Sequence, residues 1–127
     1  MKLLLTSIIC VIFYSLSLSA DFFWIGSLNG DGNGNWSVAQ NWSYTSGGSP
    51  LTNGFNPLPG ISDNVIFDNN SNIGVNTIIN IDIDQVLNFD FSSVSTSFTF
   101  NSSLSQLYIS GDLRSNGMAT FNFSGNF

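Results

Sequence analysis

Residues 79–91 read Ile79-Asn80-Ile81-Asp82-Ile83-Asp84-Gln85-Val86-Leu87-Asn88-Phe89-Asp90-Phe91, and this stretch decides the fold. Apolar and polar side chains alternate along it. Ile79, Ile81 and Ile83 interleave with Asn80, Asp82 and Asp84, and Leu87, Phe89 and Phe91 with Asn88 and Asp90. Successive side chains of an extended chain point to opposite faces, so period two signals half-buried strands when β-branched and aromatic residues fill one face. The pattern continues outward. Val65 and Phe67 alternate with Asn64, Ile66 and Asp68 upstream; Phe98 and Phe100, then Leu107, Ile109 and Leu113, then Phe121 and Phe123 extend it downstream. Helix formers are scarce: beyond residue 20 there are two Ala, one Arg and one Met, with no Lys or Glu. Summed propensity therefore disfavours long helices. The expected class is all-β.

Strand centres fall near residues 81, 89, 99, 109 and 122, a regular spacing that fits a β-solenoid or a β-sandwich. Two features favour a right-handed parallel β-helix. Residues 107–112 (LYISGD) and 121–126 (FNFSGN) share an apolar–polar–apolar–Ser–Gly–polar order, as stacked coils would. Phe127 also follows a strand-like segment directly, which predicts a solenoid cut short at its C-terminal end, because solenoids need caps. Stacked coils would place Ile81, Phe89, Ile109 and Phe121 in the core and leave Phe121, Phe123 and Phe127 partly exposed. The alternative, an antiparallel sandwich, requires hairpin loops at residues 84–86 and 102–105. Residues 84–86 lack an Asn-Gly or Asp-Gly turn, so a solenoid corner is the better expectation there.

Composition excludes several functions. The 127 residues carry eight acidic and two basic side chains and no His, a net charge of −6. All eight acids are Asp; the basic residues are Lys2 and Arg114, and the single cysteine is Cys10. No disulfide, Cys/His metal site or His-based triad can be built from this set. So few cations exclude nucleic acid as a partner, because phosphate binding depends on Lys and Arg. The polar positions are Asn and Ser, which suits an extracellular chain.

Residues 1–20 read as a secretory signal peptide. Lys2 precedes an apolar run over residues 3–14, and small residues follow at Ser15, Ser17, Ser19 and Ala20. The run is too short for a bilayer span, which needs ~20 residues. Cleavage is expected after Ala20 or after Ser19, where Ser17 and Ser19 stand at −3 and −1. Removal leaves eight Asp against one Arg, a net charge of −7, and no membrane span. Residues 21–62 then form a Trp/Gly/Asn-rich capping segment, and residues 63–127 the strand coils.

The tryptophans carry the most specific motifs. Trp24-Ile25-Gly26 is followed by Gly34-Asn35-Trp36-Ser37, Asn41-Trp42-Ser43, Pro57-Leu58-Pro59-Gly60 and Asp63-Asn64-Val65-Ile66-Phe67-Asp68. This order, over residues 23–68, resembles the N-terminal part of large secreted β-helix surface proteins of Gram-negative bacteria, including autotransporter-type passengers and adhesin-like proteins that bear a sorting domain. The resemblance implies a first coil capped by Trp24, Trp36, Trp42, Asp63 and Phe67. It also implies an exported, non-enzymatic structural or adhesive module, secreted or at the cell surface and associated with the outer membrane. Surface glycans or other surface proteins are the expected partners.

Read from the residues themselves, large aromatics in a Gly/Asn-rich segment can cover the open end of an apolar solenoid. The alternative is a small secreted carbohydrate-binding β-sandwich, with Trp24, Trp36 and Trp42 exposed as a sugar-stacking platform. No cofactor is expected, with one candidate cation set: Asn29, Asp31 and Asn33 alternate with Gly and partly imitate a calcium loop, although Gln40 stands where a bidentate Glu is needed. Asp82, Asp84 and Asp90 are expected on the solvent face, where they keep a flat sheet soluble. No catalytic residues are assigned.

Overall fold

A computed structural model describes residues 18–26, 30–52, 58–104 and 106–124. Most of the expected leader, together with Cys10, Asn29 and Phe127, lies outside the described residues. The described chain is all-β apart from one short 3-10 turn at Ala39–Asn41. The strands are β1 (Asp21–Trp24), β2 (Gly34–Asn35), β3 (Trp42–Ser43), β4 (Asn64–Ile66), β5 (Ile78–Ile81), β6 (Gln85–Val86), β7 (Asn88–Asp90), β8 (Phe98–Ser102), β9 (Tyr108–Ile109), β10 (Leu113–Arg114) and β11 (Ala119–Phe123).

The strands form three sheets. One runs β10-β7-β4-β1-β3, the second β11-β8-β5-β2, and the third is the pair β6-β9. Among the described residues every pairing is parallel except β1 with β3. Each strand therefore bonds to one well separated in sequence, and from β4 onward neighbours in sequence lie in different sheets. Residues in register are 24 apart at Asn64 and Asn88 and 21 apart at Asn101 and Asn122. The first interval is longer, 43 between Asp21 and Asn64 and 45 between Asn35 and Asn80, because the Trp/Gly/Asn-rich segment is inserted there.

This connectivity corrects two expectations. The sandwich hairpins do not form, since the strands holding Ile81 and Phe89 belong to different sheets. The flanks of the second proposed hairpin, β8 and β9, also lie in separate sheets, with Ser105 outside the described residues. Residues 84–86 are not a bare corner either: Gln85 and Val86 pair with Tyr108 and Ile109.

The core follows the alternation. Phe22, Val65 and Phe89 stand in register in one sheet; Ile79 and Phe100 do so in the next, and all five are buried. Burying each such side chain stabilises by about 1.5–3 kcal/mol. Phe100 and Phe121 stack at 5.1 Å with planes 27° apart. The outermost strands are less buried: Ile109, expected in the core, is half-buried, Phe121 is 39% exposed in keeping with the partial exposure expected of it, and Leu113 is 57% exposed. Their sequence pattern is the same as that of the buried strands. Each, however, has a described strand on one side only, so its other flank is not covered by a described strand.

Outward-facing amides stack as well. Asn80 Nδ2 donates to Asn35 Oδ1 at 2.8 Å, and Asn122 Nδ2 donates to Asn101 Oδ1 at 3.2 Å. On the first sheet Asn64 Nδ2 donates to Asp21 Oδ1 at 2.6 Å, and Asn88 Nδ2 donates to Asn64 Oδ1 at 2.7 Å. An amide both donates and accepts, so identical side chains in a parallel column satisfy one another without charge. That is a physical use for the many Asn residues.

Candidate functional site

Trp24, Trp36, Trp42 and Phe67 come together as one buried aromatic cluster, each with no exposed surface. Trp24 enters from β1, Trp42 from β3 and Trp36 from the turn after β2, while Phe67 follows β4. Phe67 sits among the indoles, 5.6 Å from Trp24 in a stacked arrangement and 6.1 Å from both Trp36 and Trp42. Trp24 and Trp42 meet edge to face at 5.0 Å, Trp36 and Trp42 at 5.7 Å. Trp36 also meets Phe89 edge to face at 5.3 Å, which joins the cluster to the strand core. Such geometries complement ring quadrupoles and add to the gain from burial.

The polar edges fix the rings in place. Trp42 Nε1 donates to the Trp36 carbonyl at 2.7 Å, and Trp24 Nε1 donates to the Gly32 carbonyl at 3.1 Å. Trp36 Nε1 is buried with no hydrogen-bond partner among the described residues. Sequence reasoning missed the part played by Asn41, which is fully buried. Its carbonyl accepts from Ile25 N at 2.8 Å and its Nδ2 donates to the Asn35 carbonyl at 3.1 Å. Its signal in the sequence is its place before Trp42 in the Asn41-Trp42-Ser43 motif.

The sugar-stacking platform is not there. A ring with no exposed surface cannot stack on a sugar, and all three indoles are in that state. Consequently the tryptophan emission of the folded protein should be blue-shifted and barely quenched by acrylamide. Quenching as strong as in urea-unfolded protein would contradict the buried cluster.

Asp63 stands apart from the aromatics. Its Oδ1 accepts from Ala20 N at 3.0 Å and its Oδ2 from Gly60 N at 3.1 Å. It ties the chain before β1 to the turn before β4.

The candidate calcium oxygens serve the protein's own amides. Asp31 Oδ1 accepts from Asn33 N at 3.0 Å and Oδ2 from Asn33 Nδ2 at 2.8 Å, while Asn33 Oδ1 accepts from Ile78 N at 2.5 Å. Hydrogen bonds from the Asn33 side chain and then its backbone lower the Asp31 pKa. Asn29 lies outside the described residues, and among the described residues no group of three or more Asp, Glu, His or Cys could hold a metal ion. The loop as described is an Asn/Gly turn. Asp82 and Asp84 are exposed and Asp90 half-buried; Asp82 Oδ1 accepts from Ser37 N at 2.8 Å and Oδ2 from the Ser37 hydroxyl.

A shallow groove of about 260 Å³ runs across the outside of the first sheet, lined by Asn64, Ile66, Asn88, Asp90, Asp112 and Arg114. Arg114 lies 3.3 Å from Asp112 and 3.9 Å from Asp90. At 65% exposure these pairs contribute at most about 1 kcal/mol. The groove offers amides, carboxylates and one guanidinium in an ordered array.

No protein-family model matches this chain, and no curated protein or solved structure matches it either. Among the described residues no helix is long and apolar enough to cross a membrane. The class that fold and site define is an all-β protein with a buried Trp cluster at one end of its sheets.

Proposed function

We propose that this chain is the N-terminal start of a right-handed parallel β-helix and serves as an exported, non-enzymatic structural or adhesive surface module. The carrying observation is the parallel, in-register pairing of every third strand at intervals of 21 to 24 residues. A chain that returns to the same column after a fixed interval winds as a coil, and parallel crossovers are overwhelmingly right-handed. Under this reading each coil contributes one strand to each of three faces. The aromatic cluster shields the first coil from water. The order of the Trp, Gly and Asp motifs and the leader-like residues 1–20 support export to the cell surface.

An adhesive role would use the groove over the first sheet, whose amide, carboxylate and guanidinium groups suit the hydroxyls of a surface glycan or the polar surface of another protein. The alternative small sugar-binding sandwich has lost its support, since its hairpins and its exposed Trp are both missing.

Two measurements test the proposal. With Cys10 changed to Ser, pyrene placed on Asn80→Cys and Asn101→Cys should give strong excimer emission, because the two positions are Cα partners on adjacent parallel strands. Pyrene monomer emission alone would refute the coil. Produced with its leader in a Gram-negative host, the protein should be labelled on intact cells or recovered outside them by an impermeant reagent. Cytoplasmic retention would refute the export reading.

A further inference from the structure

We infer that the mature chain begins at Ala20, and that its new α-ammonium group is clamped by the carboxylate of Asp63. This rests on the export reading above and goes further, by choosing between two cleavage points and assigning the product a binding partner. The choice comes from where the chain first becomes held. Leu18 is 83% exposed and Ser19 is exposed, whereas Ala20 is half-buried and packs against the core. Ala20 N donates to Asp63 Oδ1 at 3.0 Å, and the Ala20 carbonyl accepts from Asn64 N at 2.8 Å. Hydrolysis of the Ser19–Ala20 bond leaves all of these contacts in place. Hydrolysis one bond later would remove the acceptor of Asn64 N and one of the two amide donors to Asp63. Ser17 and Ser19 also supply the small side chains a signal peptidase requires at −3 and −1.

Cleavage changes the chemistry of the Asp63 contact. Water adds its hydroxyl to the Ser19 carbonyl carbon as the C–N bond breaks, and the Ala20 nitrogen leaves as an amine that takes up protons to become an ammonium. A neutral amide facing a carboxylate thus becomes a cation at the same place, and charge-assisted hydrogen bonds are about twice as strong as neutral ones. The described ion pairs of this chain all involve Arg114, and both donors to Asp63 are neutral backbone amides. The adjacent carboxylate, Asp21, accepts from Asn64 Nδ2 at 2.6 Å and adds to the attraction. In a product with eight Asp and one Arg, the terminal ammonium would be the second cation, placed beside two of the acids. The pair raises the pKa of the amine. Its stabilisation is therefore full below the pKa of the unfolded amine and is lost as pH rises through the higher folded value.

The chain's single lysine, Lys2, leaves with the leader, so the α-amine becomes the sole primary amine of the product. Protein produced from the full chain with its leader in an exporting host would be analysed by intact mass and N-terminal sequencing. Its amine would then be methylated with ¹³C-formaldehyde and titrated by NMR, folded and in urea. The expected product starts Ala20-Asp21-Phe22, and its amine titrates at least about half a pH unit higher folded than unfolded. Asp63→Asn should reduce that difference, leaving only the smaller part due to Asp21; if this variant does not fold, the folded-versus-urea comparison on the unaltered protein decides alone. A product starting at Asp21 would overturn the inference and leave export standing. An uncleaved Met1 chain would overturn both. An Ala20 product with equal folded and unfolded titrations would overturn the ion pair.

Discussion

Trp42→Ala is expected to destabilise the fold by about 3–5 kcal/mol, a large share of what a domain this size has in reserve. The ring contacts Phe22, Trp24, Trp36 and Phe67 and has no exposed surface. Truncation would leave a cavity among rigid aromatic neighbours that cannot collapse to fill it, and would strand the Trp36 carbonyl that now accepts Trp42 Nε1. The measurement is the shift in urea midpoint followed by far-UV circular dichroism. A loss below about 1 kcal/mol, the range of ordinary surface substitutions, would mean the ring is not part of the core.

Gly32→Ala should be nearly as damaging, for a backbone reason. Gly32 has φ +79, and a Cβ there would collide with the carbonyl oxygen of Asn72. Neither segment can easily retreat. Asn72 Nδ2 donates to the Gly30 carbonyl at 3.1 Å, Thr77 Oγ1 donates to the Asp31 carbonyl at 3.3 Å, and the Gly32 carbonyl accepts Trp24 Nε1. Left-handed strain plus overpacking gives an expected cost of about 2–4 kcal/mol. Gly30→Ala is the control: φ is +71 there but open space surrounds the added Cβ, so only the ~1–2 kcal/mol conformational cost should appear. Equal losses from the two variants would show that the loop is not locked against Asn72. Both glycines flank Asp31, so the comparison also separates a packed turn from a loosely held cation loop.

The alternation in residues 79–91 was enough to put Ile79, Ile81, Phe89 and Phe91 inside and Asp82 and Asp84 outside, because period two is a local property of an extended chain. Scarce helix formers fixed the all-β class in the same local way. Pairing was beyond the reach of the sequence pattern. Whether Gln85 and Val86 turn a corner or join Tyr108 and Ile109 depends on residues more than twenty positions away, and no local signal encodes that. Leu113 and Phe121 share the pattern of buried strands yet are exposed, since burial is decided by what lies alongside and not by what lies next in sequence. The tryptophans were legible as a motif and ambiguous as a role, because a sugar platform and a buried cluster use the same residues. Only the tertiary structure, by packing three indoles around Phe67, turned their faces away from solvent. It also brought Asp63 within hydrogen-bonding reach of Ala20, a contact between residues 43 positions apart that periodicity cannot show and chain folding alone creates.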